Sequence, residues 1–526
     1  MIRFVKNYFP LLVPVVLYLL YSYFILVPSD YKSFSLIDDG QTIVNTMSLS
    51  KCFKLGECEA SKEVFIEKEY GRFRPVYWTI NYLLFDSIKL NPVLHHQFRI
   101  YIVGTICVII LGLILNKLKT NTISIVVASL FFFISYSFSE NFIRLGPTEP
   151  FQLISVALLS YFLFNLKRRK WLFILITYIL AVLIKETSVV ILVPILFYSH
   201  FISNNKVDIR ISWWLLTFGL FAFAFSRFIS TPLESSIAYT DNYKLSIDLL
   251  INNFLQYYHI ILNSTSPFLK SFIVVCTFTY LFFKKSIFKN KYLLYWLIVF
   301  CVFVGILVPW KYVLERYLLV PLFSFSAIIG IVITQIYTDV ASYLENYKHN
   351  KRYKVLSMML KLTLCYMIIN MFFLNFPINY AKTVNYRDWY SVFLKYEFDQ
   401  VNAIVNIGVP KVYINAKDTI DNWEVLYELP IHVNVLNMSD TQIERIGNTL
   451  PKNGYIMTRQ PFDVLYSDDE ILSSGYISIF EKKYTISQID PIYFRDKFVY
   501  RPLSTIINPP LIEKPYSYSF AIYNKN

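Results

Sequence analysis

Apolar runs of about 20 residues recur along the first three quarters of this chain, and a run of that length crosses a bilayer core as helix. In lipid the backbone must satisfy its own hydrogen bonds, so such runs have few alternatives to helix. The pattern predicts an α-helical polytopic membrane protein with about eleven spans, at about 8–28, 95–116, 122–138, 149–165, 171–184, 187–203, 211–229, 267–283, 292–309, 316–337 and 357–378. Charged residues make up only 16% of the chain, against about 25% in ordinary soluble domains.

The net charge of +14 invites a nucleic-acid reading. The distribution argues against it, because the cations lie in short clusters between apolar runs. Arg3 and Lys6 precede the first span. Alternate loops carry Lys117 and Lys119, then Lys167 to Lys170, Lys206 and Arg210, Lys284 to Lys291, and Lys348 to Lys354. All fall on one side of an eleven-span threading, and the positive-inside rule makes that side the cytoplasm. The first apolar run is long and lacks a small-residue cleavage site, so a retained anchor is expected. The stretch Leu245–Leu262 carries Asp248, Asn252, Asn253, Gln256 and His259, and reads as an amphipathic helix on the outer surface.

An odd number of spans leaves the C-terminus outside. From about residue 379 the composition turns polar, with short β-type runs such as Lys411–Asn415 and Tyr476–Phe480 and a turn signal at Asn453-Gly454. The chain therefore divides into a membrane domain over 1–378 and an extracytoplasmic α/β domain over 379–526, the latter without a catalytic motif. Cys107, Cys276, Cys301 and Cys365 lie in apolar runs and pack as small hydrophobes. Cys52 and Cys58 stand in the large first outer loop, 29–94, and are either a disulfide or two thiols.

The outer side collects the ionisable residues that the spans lack. The first loop holds the adjacent carboxylates Asp38 and Asp39, then Arg72 and Arg74. Beyond it come Arg144 and Glu149, Lys185 and Glu186, and Lys311, Tyr312, Glu315, Arg316 and Tyr317. Charge at such positions is costly to bury and marks functional candidates. Each has an ordinary alternative. An Asp-Asp-Gly is commonly a solvated turn. Arg72 and Arg74 can anchor to headgroups, and Lys185-Glu186 and Glu315-Arg316 can be structural ion pairs. His95 and His96 fit an interface better than a metal site.

The order of these features resembles the GT-C superfamily of membrane glycosyltransferases, which includes protein O-mannosyltransferases and the aminoarabinose transferases of lipid A. The likeness rests on Asp38-Asp39-Gly40-Gln41, Arg72-Phe73-Arg74-Pro75, Asn91-Pro92, Lys185-Glu186 and Glu315-Arg316-Tyr317, and it covers about residues 1–340. There is no tetratricopeptide pattern and no Trp-Trp-Asp motif, so the protein-mannosylating subgroup is not implied and an oligosaccharyltransferase is disfavoured. The resemblance implies an inverting transferase in a bacterial inner membrane, using a polyprenyl-phosphate-linked sugar. The acceptor would be a glycan, lipid or protein. Asp38 would be the general base and Asp39 its partner. Apart from the resemblance, a leaving phosphate needs fixed cations where its charge develops, and Arg74, Arg144, Lys185 and Arg316 can supply them if the spans bring them together. Some members hold a divalent metal near the acidic pair and others do not. The competing classes are an O-antigen polymerase or ligase, a transporter or flippase of lipid-linked glycans, and an inactive scaffold.

Overall fold

The helices begin where the sequence supplies caps. Asn121 accepts the Ser124 amide (2.8 Å), Asn290 accepts the Tyr292 amide (3.0 Å), and Asn91 accepts the Leu94 amide (3.2 Å) with Pro92 at the first helical position. Each cap gives one orphan amide a partner at the head of an apolar helix. The structure is a computed structural model, and it describes residues 2–27, 33–35, 39–58, 64–67, 72–165, 170–203, 205–229, 246–261, 290–310, 313–346, 355, 358–359, 362, 366, 375–417, 426, 428–437, 439–512 and 515–525.

Among the described residues four helices are long and apolar enough to cross a membrane: Pro92–Lys117, Glu186–Ser203, Lys206–Phe225 and Glu315–Thr338. A fifth candidate is a pair, Thr122–Ile134 and Tyr136–Ile143, bent by 59° at Ser135. Pro10–Leu26, Trp171–Ile184 and Lys291–Gly305 are shorter apolar helices, and Glu149–Asn165 has 17 residues. The expected spans at 267–283 and, but for a few positions, 357–378 lie outside the described residues. The chain is thus mostly helical, with the character of a membrane protein.

Small residues let these helices approach. A Cβ on Gly104 would fall 1.8 Å from the Tyr18 hydroxyl, and one on Gly330 would fall 2.9 Å from a Leu115 methyl. Such contacts matter most where no hydrophobic gradient drives helices together. The bend at Ser135 breaks the backbone ladder, and the freed Tyr136 amide donates to Asn379 Oδ1 at 3.1 Å.

The helix over 247–261 has three faces. Tyr257 packs on Val304 and Leu318, while Asn253 donates to the carbonyls of Val308 (2.9 Å) and Trp310 (2.6 Å). Ile247, Ile251, Phe254 and Tyr258 form an exposed apolar stripe, and Asp248, Asn252, Gln256 and His259 form an exposed polar one. This is the patterning of a helix that meets protein, lipid and water on three sides.

The helix Phe376–Ile407 links the two parts of the chain, and it begins just ahead of the domain boundary expected at 379. Its first half packs on Tyr136–Ile143, where Thr383 Oγ1 lies 2.9 Å from Ser139 Oγ. Gly408, at φ +64°, ends it in the left-handed cap that glycine adopts without a Cβ penalty. The second half carries a five-stranded sheet ordered β4-β3-β5-β7-β6, from β3 (Lys411–Ile414), β4 (Gln442–Arg445), β5 (Gly454–Gln460), β6 (Ile477–Ile486) and β7 (Tyr516–Lys525). β3 runs parallel to β4 and β5, and β7 antiparallel to β5 and β6. Lys482 pairs with Asp399 (2.6 Å) and Trp389 Nε1 donates to the Tyr518 hydroxyl (2.6 Å), fixing sheet to helix. In the first loop, β1 (Ile66–Glu67) and β2 (Arg72–Phe73) make a short antiparallel ladder, and Cys52 is disulfide-bonded to Cys58.

Candidate functional site

Helix ends build the site. Glu149–Asn165 and Lys170–Ile184 pack as antiparallel neighbours, so the start of one meets the end of the other. Glu149 occupies the first turn of its helix, where a carboxylate is favoured by the amide dipoles. Lys185 leaves the end of the second helix, and its Nζ lies 2.6 Å from Glu149 Oε1, with side-chain exposures of 18% and 5%. One turn further in, Gln152 Nε2 donates to Thr187 Oγ1 (3.1 Å) and Ser188 Oγ (3.0 Å), stitching the same two ends.

A third strand of chain arrives from the turn Glu315–Leu318 that opens the helix Leu319–Asn346. The Tyr317 ring lies under both Lys185 Nζ (5.1 Å) and the Arg316 guanidinium (5.3 Å). Arg316 is within electrostatic reach of Glu149, Arg144 and Glu140, and it makes no ion pair among the described residues. Its carbonyl accepts Asn141 Nδ2 at 2.7 Å. Glu315 pairs with Lys382 of the long helix at 3.2 Å, and Lys382 sits 5.5 Å over the Tyr136 ring. Tyr386, one turn beyond Lys382, faces Arg144 and Glu140. Four cations and three carboxylates from four separated stretches of chain therefore meet at one end of the bundle.

Arg99 holds this arrangement from below. It is buried in Pro92–Lys117, where its Nε donates to Asn141 O (3.0 Å), Nη1 to Leu145 O (2.6 Å) and Nη2 to Pro147 O. His96 Nδ1 lies 3.0 Å from Ile143 O. The loop that carries Arg144 is thus clamped by one guanidinium. A partly open pocket beside it is lined by Phe34, Thr42, Phe85, Arg99, Leu145 and Phe151.

The sequence-derived candidates fall into three groups. Arg144, Glu149, Lys185, Glu315, Arg316 and Tyr317 come together as described. Arg74 lies 5.1 Å over the Tyr77 ring, whose hydroxyl donates to Gly146 O (3.2 Å), so it joins the Arg144 turn at one remove. Arg72 stands opposite Glu67 in the first-loop ladder, and Glu186 is buried at the head of the helix Glu186–Ile191. Asp38, Lys311 and Tyr312 lie outside the described residues, and Asp39 opens the helix Asp39–Leu55. Sequence reasoning missed Arg99, Glu140, Lys382 and Tyr386. For Arg99 and Glu140 the signal was present, a charge beside an apolar run. Lys382 and Tyr386 sit in a helix assigned to the outer domain and carried none.

His95 Nε2 lies 2.8 Å from Lys89 O, and no group of three or more His, Cys, Asp or Glu side chains is placed to hold a metal among the described residues. No protein-family model matches the chain, and no curated protein matches it.

Proposed function

We propose that the protein is an inverting glycosyltransferase of eleven spans, moving a sugar from a polyprenyl-phosphate donor to a cell-envelope acceptor at the outer face of a bacterial inner membrane. The observation that carries the reading is the meeting of Arg144, Lys185 and Arg316 at the ends of apolar helices, with Glu149 tying Lys185 in place. A phosphate leaving group needs fixed positive charge where its negative charge develops, and a lipid-linked phosphate presents itself at such helix ends. Arg316, without an ion pair among the described residues, has donor capacity to give. Lys185 acts from its pair with Glu149, and Arg74 reaches the site through Tyr77.

In the step, an acceptor hydroxyl attacks the anomeric carbon, the carbon–oxygen bond to phosphate breaks, and polyprenyl phosphate leaves. Asp38 takes the hydroxyl proton and Asp39 orients the acceptor. The first loop and the C-terminal domain share one side in this topology. Contacts of Ser33 Oγ with Leu394 O (3.2 Å) and of Ser35 Oγ with Glu397 Oε2 (3.2 Å) support that.

A transporter of lipid-linked glycans is the second reading, favoured by the break at Ser135, since transporters use discontinuous helices. One experiment separates them. Protein in proteoliposomes is given labelled polyprenyl-phosphate sugars. Release of polyprenyl phosphate with label on an acceptor, reduced in R316Q, is the expected result. Movement of intact donor across the bilayer without cleavage would replace the transferase reading with the transporter.

A further inference from the structure

The C-terminal domain buries a polar cluster that the transfer step does not use. Arg459 lies on β5 at 3% exposure, on the strand face shared with Met457 and turned toward the long helix. Its Nε donates to the Tyr396 hydroxyl at 3.3 Å, and its guanidinium lies 5.4 Å from the Tyr396 ring and 4.2 Å from the Phe462 ring. Nη1 and Nη2 have no hydrogen-bond partner among the described residues. One helical turn after Tyr396, Gln400 is fully buried with its amide nitrogen within hydrogen-bonding reach of the same hydroxyl, and its Oε1 has no partner among the described residues.

This arrangement is unusual on physical grounds. A buried guanidinium is normally matched by a carboxylate, because an uncompensated charge is costly to hold out of water. A buried amide oxygen left open is a second penalty at the same place. The two open nitrogens of Arg459 form a planar fork that fits the two oxygens of a carboxylate or phosphate. The Gln400 amide offers one donor and one acceptor beside it, which is what a hydroxyl next to the anion requires. Aromatic rings on two sides of the guanidinium supply apolar walls.

We propose that Arg459, Tyr396 and Gln400 form a binding site for an acidic saccharide, gripping its carboxylate or phosphate through the Arg459 fork and a neighbouring hydroxyl through Gln400. Phe462, whose ring lies 4.2 Å from the guanidinium, is partly exposed and lies between exposed Pro461 and Asp463, which puts the cluster next to the surface. The stretch of helix that carries Tyr396 and Gln400 also accepts Ser33 and Ser35 of the first loop. On the transferase reading, a ligand held here is therefore the acceptor, seated against the chain that enters the acidic pair. The binding site itself does not depend on that reading.

The test is binding, not transfer. Full-length protein in nanodiscs is titrated calorimetrically with a glucuronate oligosaccharide, the matching neutral glucose oligosaccharide, a sugar phosphate and inorganic phosphate. Wild type, R459Q, Q400L and the control R495Q, at a half-buried site paired with Asp496, are compared. Binding of the glucuronate and not the neutral sugar, weakened at least tenfold in R459Q, less in Q400L and unchanged in R495Q, is expected and assigns a carboxylate. The same pattern with the sugar phosphate assigns a phosphorylated glycan. Binding of inorganic phosphate without either saccharide, equal binding in R459Q, or no anion binding to wild type would overturn the proposal. If R459Q does not fold, Q400L decides: unchanged affinity there also overturns it. A transferase that works while these titrations fail would leave the proposed function standing without this site.

Discussion

Lys185 Nζ and Glu149 Oε1 lie 2.6 Å apart with little solvent access, so the end of one apolar helix is bonded to the start of its antiparallel neighbour. Two consequences follow from one contact. The pair fixes the packing of the two helices, and it holds a cation beside Arg316 and Tyr317.

Breaking this pair from one side leaves a buried charge without its partner. K185M or E149Q alone should destabilise the protein by about 3–5 kcal/mol, the usual scale for such a loss. The double variant should cost less than the sum, because neither charge is then stranded. Chemical denaturation in a fixed detergent, read as a double-mutant cycle, measures the coupling. Additive losses would show that the contact carries no energy of its own.

The clamp at Arg99 makes a second expectation. Lysine keeps the charge but cannot serve the three carbonyls of Asn141, Leu145 and Pro147 with one planar group. R99K should lose about 1.5–3 kcal/mol for each charged hydrogen bond it fails to replace. The loss should appear as faster amide exchange over residues 141–147, with donor binding weakened through the displaced Arg144. Unchanged exchange in that loop, with weakened donor binding, would place Arg99 in direct contact with the donor instead.

Part of this architecture is legible in the sequence. Apolar length foretold the Pro92–Lys117 and Glu315–Thr338 helices, because lipid leaves the backbone no other choice. The charge pattern put Arg144, Glu149, Lys185 and Arg316 on one side of the threading, but that they gather is a matter of tertiary packing that the linear sequence does not show. What linear sequence hid was the long helix Phe376–Ile407. Its lysine and tyrosine at 382 and 386 enter the site from a segment whose composition reads as soluble. Partners separated by some 67 residues, as Glu315 and Lys382 are, meet only through tertiary packing, which no local period reports. The same holds for Arg459, an ordinary strand residue until its neighbours close over it.

The imidazole of His432 gives a pH dependence. Burial pushes it from 6.5 down to about 4, opposed by a hydrogen bond with the Ser35 backbone. Between those values the unfolded chain binds a proton that the folded domain refuses. Stability is therefore full above about pH 6.5, falls as pH drops toward 4, and levels off below that. The loss amounts to at most about 3 kcal/mol, at 1.36 kcal/mol for each pH unit of difference. H432Q should flatten this part of the profile. Thermal unfolding from pH 7.5 to 4 in both proteins measures it, and parallel slopes would remove His432 as the cause.

The final expectation concerns the base. A neutral hydroxyl attacks an anomeric carbon poorly, and a positioned carboxylate that takes its proton is worth about 10²–10⁴ in rate. Asp38 is the first of the adjacent acidic pair in the early loop. Thr42, four residues on, lines the pocket that Arg99 and Leu145 also line, so this loop reaches the neighbourhood of the Arg144 turn. Two neighbouring carboxylates seldom share one task, because successive side chains point apart. D38N should therefore lose transfer by at least 10²-fold while binding polyprenyl phosphate as wild type does, since the cations at 144, 185 and 316 are untouched. D39N should retain part of the activity, with the loss in acceptor KM more than in kcat. The measurement is a transfer assay with saturating donor, run beside donor binding for each variant. Full activity in D38N would remove the general base from this mechanism. Loss of donor binding in D38N would mean that its carboxylate organises the phosphate site instead.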